Sequence, residues 1–75
     1  MDVILGKEFL GAEEEADLVE WLVKDGATVA LGDPIAQLET SKLVSDFEAP
    51  AAGVVTLKAE VGEVVSVDDV IATIN

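Results

Sequence analysis

Two stretches of this chain can be laid over each other without a gap, and that constrains the fold more than any other feature. Residues 15–39 placed over residues 51–75 give identities at Ala16/Ala52, Val19/Val55, Gly26/Gly62, Val29/Val65, Asp33/Asp69, Ile35/Ile71 and Ala36/Ala72. A repeat at this scale calls for two copies of one small unit packed together. In the first copy Val19, Trp21 and Val23 alternate with Glu20, Leu22 and Lys24; in the second, Val55, Leu57 and Ala59 alternate with Thr56, Lys58 and Glu60. A period of two means strands, with the odd positions expected to face the core in both halves. Trp21 is expected to be core or half-buried packing.

Equivalent turns follow. Lys24-Asp25-Gly26 and Glu60-Val61-Gly62 end the two strands at a glycine that can take positive φ. Short strands around Thr28-Val29-Ala30 and Val64-Val65-Ser66 come next. The turns Gly32-Asp33-Pro34 and Asp68-Asp69-Val70 then place Asp33 and Asp69 where their side chains can bond local backbone N–H groups. The segments Ile35-Ala36-Gln37-Leu38 and Ile71-Ala72-Thr73-Ile74 are expected to be paired central strands. Residues 3–5 should form an opening strand and residues 6–14 a surface loop. Between the halves, residues 39–50 read as strand, tight turn, strand, the turn lying at Ser41-Lys42 and the returning strand contributing Val44 and Phe47 to the apolar contacts. The expected architecture is all-β: a flattened barrel or sandwich of two antiparallel sheets, up to four strands each, with approximate twofold symmetry, a barrel-sandwich hybrid. The Lys42 turn should stand at one end and both termini at the other.

With 75 residues and no cysteine, residues 1–75 are expected to form one domain, near the lower size limit for independent folding. No segment is long and apolar enough to cross a bilayer as a helix, and the opening residues lack the basic start of a signal peptide, so a cytoplasmic location is the expectation. Sixteen acidic residues against four lysines give a net charge of −12, which disfavours nucleic acid and anionic membranes as partners and favours basic protein surfaces. Without His, Cys or Tyr there is no imidazole base, no thiolate nucleophile and no ordinary zinc site. The runs Glu13-Glu14-Glu15 and Asp68-Asp69 read as solvated surface, with neither the apolar surroundings for acid catalysis nor the ligand spacing for calcium. These missing residue types remove most familiar enzyme chemistry.

Lys42 is the lysine at the join, whereas Lys24 and Lys58 read as lying within strands and Lys7 in an irregular loop. Its neighbours Glu39-Thr40-Ser41-Lys42-Leu43, together with Val19-Glu20-Trp21-Leu22-Val23-Lys24-Asp25-Gly26, Gly32-Asp33-Pro34 and Ala49-Pro50-Ala51-Ala52-Gly53, resemble in order and spacing the lipoyl domains of 2-oxo acid and acetoin dehydrogenase complexes. That resemblance covers almost the whole chain. It implies that Lys42 carries lipoate as an amide, attached by a lipoate ligase or lipoyl transferase, with Glu39, Thr40, Ser41 and Leu43 forming the hairpin that enzyme recognises. It further implies that the dithiolane accepts an acyl group from a thiamin-diphosphate dehydrogenase component, passes it to coenzyme A at an acyltransferase core, and is reoxidised by a dihydrolipoamide dehydrogenase. The isolated domain is then expected to be a monomeric carrier. The chain departs from the family at Ser41 and Leu43, where aspartate and alanine are usual, and in its opening residues 6–11.

Two other readings compete. Biotin carriers of carboxylases or decarboxylases share the architecture, but their lysine usually lies between methionines, and here Thr40-Ser41 and Leu43-Val44 flank it. A hairpin domain of this kind can also serve unmodified, as an interaction module. Bland readings remain for the neighbours: Glu39 as a cross-strand polar residue and Ser41 as a turn former.

Overall fold

The computed structural model describes residues 1–6, 10, 11, 13–41 and 43–75. Its strands are β1 (Asp2–Ile4), β2 (Glu15–Trp21), β3 (Thr28–Val29), β4 (Pro34–Glu39), β5 (Val44–Glu48), β6 (Gly53–Leu57), β7 (Val64–Ser66) and β8 (Val70–Ile74). They form two four-stranded antiparallel sheets, one in the order β1-β8-β6-β3 and the other β5-β4-β2-β7. The expected all-β flattened sandwich is what forms.

The symmetry is visible in those two orders. Exchanging β2 with β6, β3 with β7, β4 with β8 and β5 with β1 converts one sheet into the other. Each half therefore keeps its long strands together but lends its short strand to the opposite sheet: β3 pairs with β6, and β7 with β2. The expected pairing of Ile35-Ala36-Gln37-Leu38 with its repeat is corrected here, because β4 and β8 are each interior to their own sheet and pair with β2 and β5 or with β1 and β6. Met1 and Ile74 bond each other through backbone groups, Met1 N and Ile74 N each donating to the other's carbonyl at 2.8 Å. The two termini thus meet where the symmetry would otherwise place a second β4–β5 turn.

The repeated Ile-Ala pairs have a structural cause. Ile35, Ala36, Ile71 and Ala72 are all fully buried, although neighbouring residues in a regular strand point to opposite faces. In β4 the pairing with β5 slips between Pro34 and Ala36, and in β8 the partner of β1 jumps from Ala72 to Val70. A bulge at each isoleucine turns both members of the pair inward.

A third bulge exists in the first half alone, and it corrects the inward-facing set. The β2–β4 register slips between Leu18 and Glu20. Before the slip Ala16 and Leu18 face the core; after it Trp21 and Val23 do, while Val19 is turned outward and is 41% exposed. In the second half the expected Val55, Leu57 and Ala59 do pack inward, Leu57 only partly buried. The turn contacts give the matching correspondence: Gly26 N donates to Val55 O at 2.7 Å, and Gly62 N donates to Leu18 O at 2.8 Å. Leu18, not Val19, is the structural counterpart of Val55, so the gap-free overlay conceals one inserted residue.

The aspartate turns match atom for atom. Ala30 N and Ser66 N each donate to a carboxylate oxygen, Asp33 Oδ2 and Asp69 Oδ2, at 2.9 Å. Trp21 is half-buried, and its indole Nε1 donates to Ala59 O at 3.0 Å, tying the strand end of one sheet to the segment that follows β6 in the other. On the returning strand Phe47 packs against the core, but Val44 is 49% exposed and contributes nothing there.

Candidate functional site

The β4–β5 hairpin carries the site. Its last strand pair is Glu39 with Val44, beyond which Thr40 N donates to Leu43 O at 3.0 Å and Thr40 Oγ1 reaches the same carbonyl at 3.3 Å. The chain therefore reverses between Thr40 and Leu43, as the sequence predicts. Ser41 and Leu43 are both exposed, Leu43 at 57%. Lys42 itself lies outside the described residues. What is described is its setting: a short closed turn whose flanking side chains leave the core for solvent. A tight turn of this kind offers an amine to another enzyme's active site while the sheet holds its base.

Two expectations about the other lysines need correction. Lys24 follows β2 and Lys58 follows β6, so both are exposed just past strand ends and not within strands. Lys42 is distinguished from Lys24 and Lys58 by standing in the hairpin motif, not by their confinement to strands, and Lys7, expected in an irregular loop, lies outside the described residues. The glycines predicted at the equivalent turns are as expected, with φ of +87° at Gly26 and +95° at Gly62, a region open to glycine at no steric cost.

Sequence reasoning missed the acidic wall beside the hairpin. Glu13, Glu15 and Asp17 join Glu39, Thr40 and Ser41 around an open recess of about 400 Å³. Glu39 pairs directly with Asp17 across β2 and β4, so its place is a cross-strand one on the recess and its side chain faces solvent. Glu13 accepts two hydrogen bonds through Oε1, from Ser41 Oγ at 2.8 Å and from Ser41 N at 3.3 Å. Nothing in the run Glu13-Glu14-Glu15 distinguishes the one residue that reaches the hairpin, because the contact spans 28 positions. Among the described residues no group of three or more His, Cys, Asp and Glu side chains is arranged to hold a metal ion.

Comparison with known proteins agrees with this geometry. The sequence matches the biotin/lipoyl family, described as biotin-requiring enzymes, over residues 10–74. It is 42% identical over 60 residues to the dihydrolipoyllysine-residue acetyltransferase component of the pyruvate dehydrogenase complex of Zymomonas mobilis, covering 77% of this chain and 14% of that protein. It is 38% identical over 55 residues to the acetyltransferase component of the acetoin cleaving system of Cupriavidus necator, covering 72% of this chain and 15% of that one. The chain thus spans about one seventh of the length of these relatives. The solved lipoyl domain of the 2-oxoglutarate dehydrogenase complex of Azotobacter vinelandii superposes with a TM-score of 0.77 over 100% of this chain and 95% of that one, at 22% identity, which shows a shared fold. A two-sheet sandwich with its halves related by symmetry, a closed hairpin at their join, and a family match across both halves lead to one conclusion: this chain belongs to the biotin/lipoyl domain family and is homologous to part of the dihydrolipoyllysine acyltransferase components.

Proposed function

We propose that this chain is a lipoyl carrier domain in which Lys42 receives lipoate as an amide and serves, without catalysing a step, as the mobile substrate of a 2-oxo acid or acetoin dehydrogenase complex. The observation that carries the reading is the hairpin closed from Thr40 to Leu43 with exposed flanks, set in the motif Glu39-Thr40-Ser41-Lys42-Leu43. The chemistry of the setting fits the group: Ser41 and Leu43, the neighbours of Lys42, are both exposed, and the four carboxylates lining the nearby recess include no amine or thiol that could be modified in its place. When bound, lipoate supplies a dithiolane able to take up acyl groups and electrons. The strands β4 and β5 and the exposed neighbours Ser41 and Leu43 would hold and present the base of the arm.

The partners that follow are a lipoate ligase or lipoyl transferase, a thiamin-diphosphate dehydrogenase component, an acyltransferase core and a dihydrolipoamide dehydrogenase, in a cytoplasmic setting. The net charge of −12 suits a domain that must visit several enzymes, since acidic surface favours fast, salt-sensitive encounter with basic faces and discourages self-association. The test is intact-mass measurement after incubation with lipoate and a lipoate ligase, and separately with biotin and a biotin ligase. The expected result is one lipoyl adduct and no biotinyl adduct, abolished by Lys42→Arg. A biotinyl adduct would assign the chain to the biotin branch of its family, and an unshifted mass in both reactions would make it an unmodified interaction module.

A further inference from the structure

We infer that Glu13 is a positioning residue for the modification of Lys42, acting through Ser41, so that the connection between β1 and β2 clamps the hairpin on which the lysine stands; this rests on the carrier reading above. One carboxylate oxygen takes both donors of Ser41, its hydroxyl at 2.8 Å and its backbone N–H at 3.3 Å. The base of the clamp is itself fixed. Glu13 N donates to Leu10 O at 3.1 Å, Leu10 is buried in the core with 4% exposure, and on the other side Glu14 O accepts from Val67 N at 2.8 Å. Glu13 is thus held at both ends of a short span and directed at a turn that otherwise projects past the last β4–β5 pair, Glu39 with Val44.

The pairing is specific to what this chain places at position 41. A serine brings two donors to one carboxylate, a charge-assisted arrangement stronger than a neutral one. An acidic side chain at the same position, as is usual in the lipoyl domains the sequence resembles, would set two carboxylates against each other in a recess already lined by Glu15, Asp17 and Glu39. The neighbour of Lys42 and the far side of the recess are therefore matched to each other. A turn held in one arrangement presents its amine in that arrangement for a larger fraction of the time, and the apparent affinity of the modifying enzyme rises with that fraction.

Glu13→Ala, Glu13→Gln, Ser41→Asp and the double change Ser41→Asp with Glu13→Gln are compared with the parent in two measurements. Amide hydrogen exchange at Ser41, followed by NMR on the unmodified domain, reads the clamp alone. Initial rates of lipoate attachment by a lipoate ligase read its consequence. The expected outcome for Glu13→Ala is faster exchange at Ser41 and a KM for the domain raised about threefold to tenfold with kcat little changed, as loss of an exposed charge-assisted contact implies. Glu13→Gln keeps an acceptor oxygen and should retain most of the parent's behaviour. Ser41→Asp should raise KM as Glu13→Ala does, and adding Glu13→Gln should restore it, because the amide group can donate to the introduced carboxylate. Such rescue would not follow from a merely structural role, for which melting temperature and KM would move together. Unchanged exchange in Glu13→Ala overturns the clamp; faster exchange with an unchanged KM overturns its role in positioning. A parent that takes up no lipoate at all overturns the carrier reading and the functional half of this inference together, while the exchange result still decides the clamp.

Discussion

Asp68 is where the two halves differ most sharply in the demands they place on a single backbone position. Its counterpart in the repeat is Gly32, which has φ of +88°; Asp68 adopts φ of +71° and is the one non-glycine residue with positive φ among those described. Both precede the aspartate whose carboxylate closes the turn, Asp33 or Asp69. The left-handed region costs an L residue about 1 to 2 kcal/mol, somewhat less for aspartate, which is tolerated there. Glycine removes that strain but gives back part of the gain through a freer unfolded chain. Asp68→Gly also removes one negative charge beside Asp69 from a protein of net charge −12. Both effects point the same way, so the substitution should stabilise the protein by about 0.5 kcal/mol, and Gly32→Asp should destabilise it by a comparable amount, as read from urea midpoints at constant m. If Asp68→Gly lowers the midpoint, the aspartate side chain has a role that its equivalence to Gly32 conceals.

At the scale of the strand, the lesson lies in β2. The sequence makes the strands, the turns and the twofold relation legible because the physical demands recur: glycine at the same turn, aspartate at the same N–H, isoleucine and alanine at the same bulge. It does not reveal the slip between Leu18 and Glu20, because Val19 and Val55 are identical and invite alignment. Alternation tells which residues share a face only while the register holds; one extra residue moves everything beyond it to the other face. Leu18 is 1% exposed and Val19 41% exposed. Leu18→Ala should therefore cost about 2 to 5 kcal/mol, whereas Val19→Thr should change stability by no more than about 0.5 kcal/mol. A large loss at Val19 with little change at Leu18, measured by chemical denaturation, would mean that the strand runs straight and Val19 points inward. The hairpin was readable for a related reason: its signal is local. The Glu13–Ser41 contact was not, since nothing in a run of three glutamates says which one meets a turn 28 residues away.

For the whole molecule, the exchange of short strands decides how stability is shared. β3 completes the sheet built around β6 and β8, and β7 completes the one built around β2 and β4. The buried residues Val3, Leu18, Ile35, Leu38, Val55, Ile71 and Ile74 come from both halves and form one core cluster. Trp21 adds a bond between the sheets through Ala59. Neither half can bury its apolar face or pair its strand edges alone, so the repeat does not imply two folding units. Unfolding should be a single cooperative transition in which Trp21 fluorescence, which senses the contact between sheets, and far-UV circular dichroism, which senses the strands, have coincident midpoints. Fragments comprising residues 1–50 and 51–75 should each be unfolded when separate, and the native dichroism should return when they are mixed, because each supplies the strand the other lacks. A fragment that folds alone, or a fluorescence midpoint displaced from the dichroism midpoint in the intact chain, would show that the halves are autonomous and that the strand exchange contributes little to holding them together.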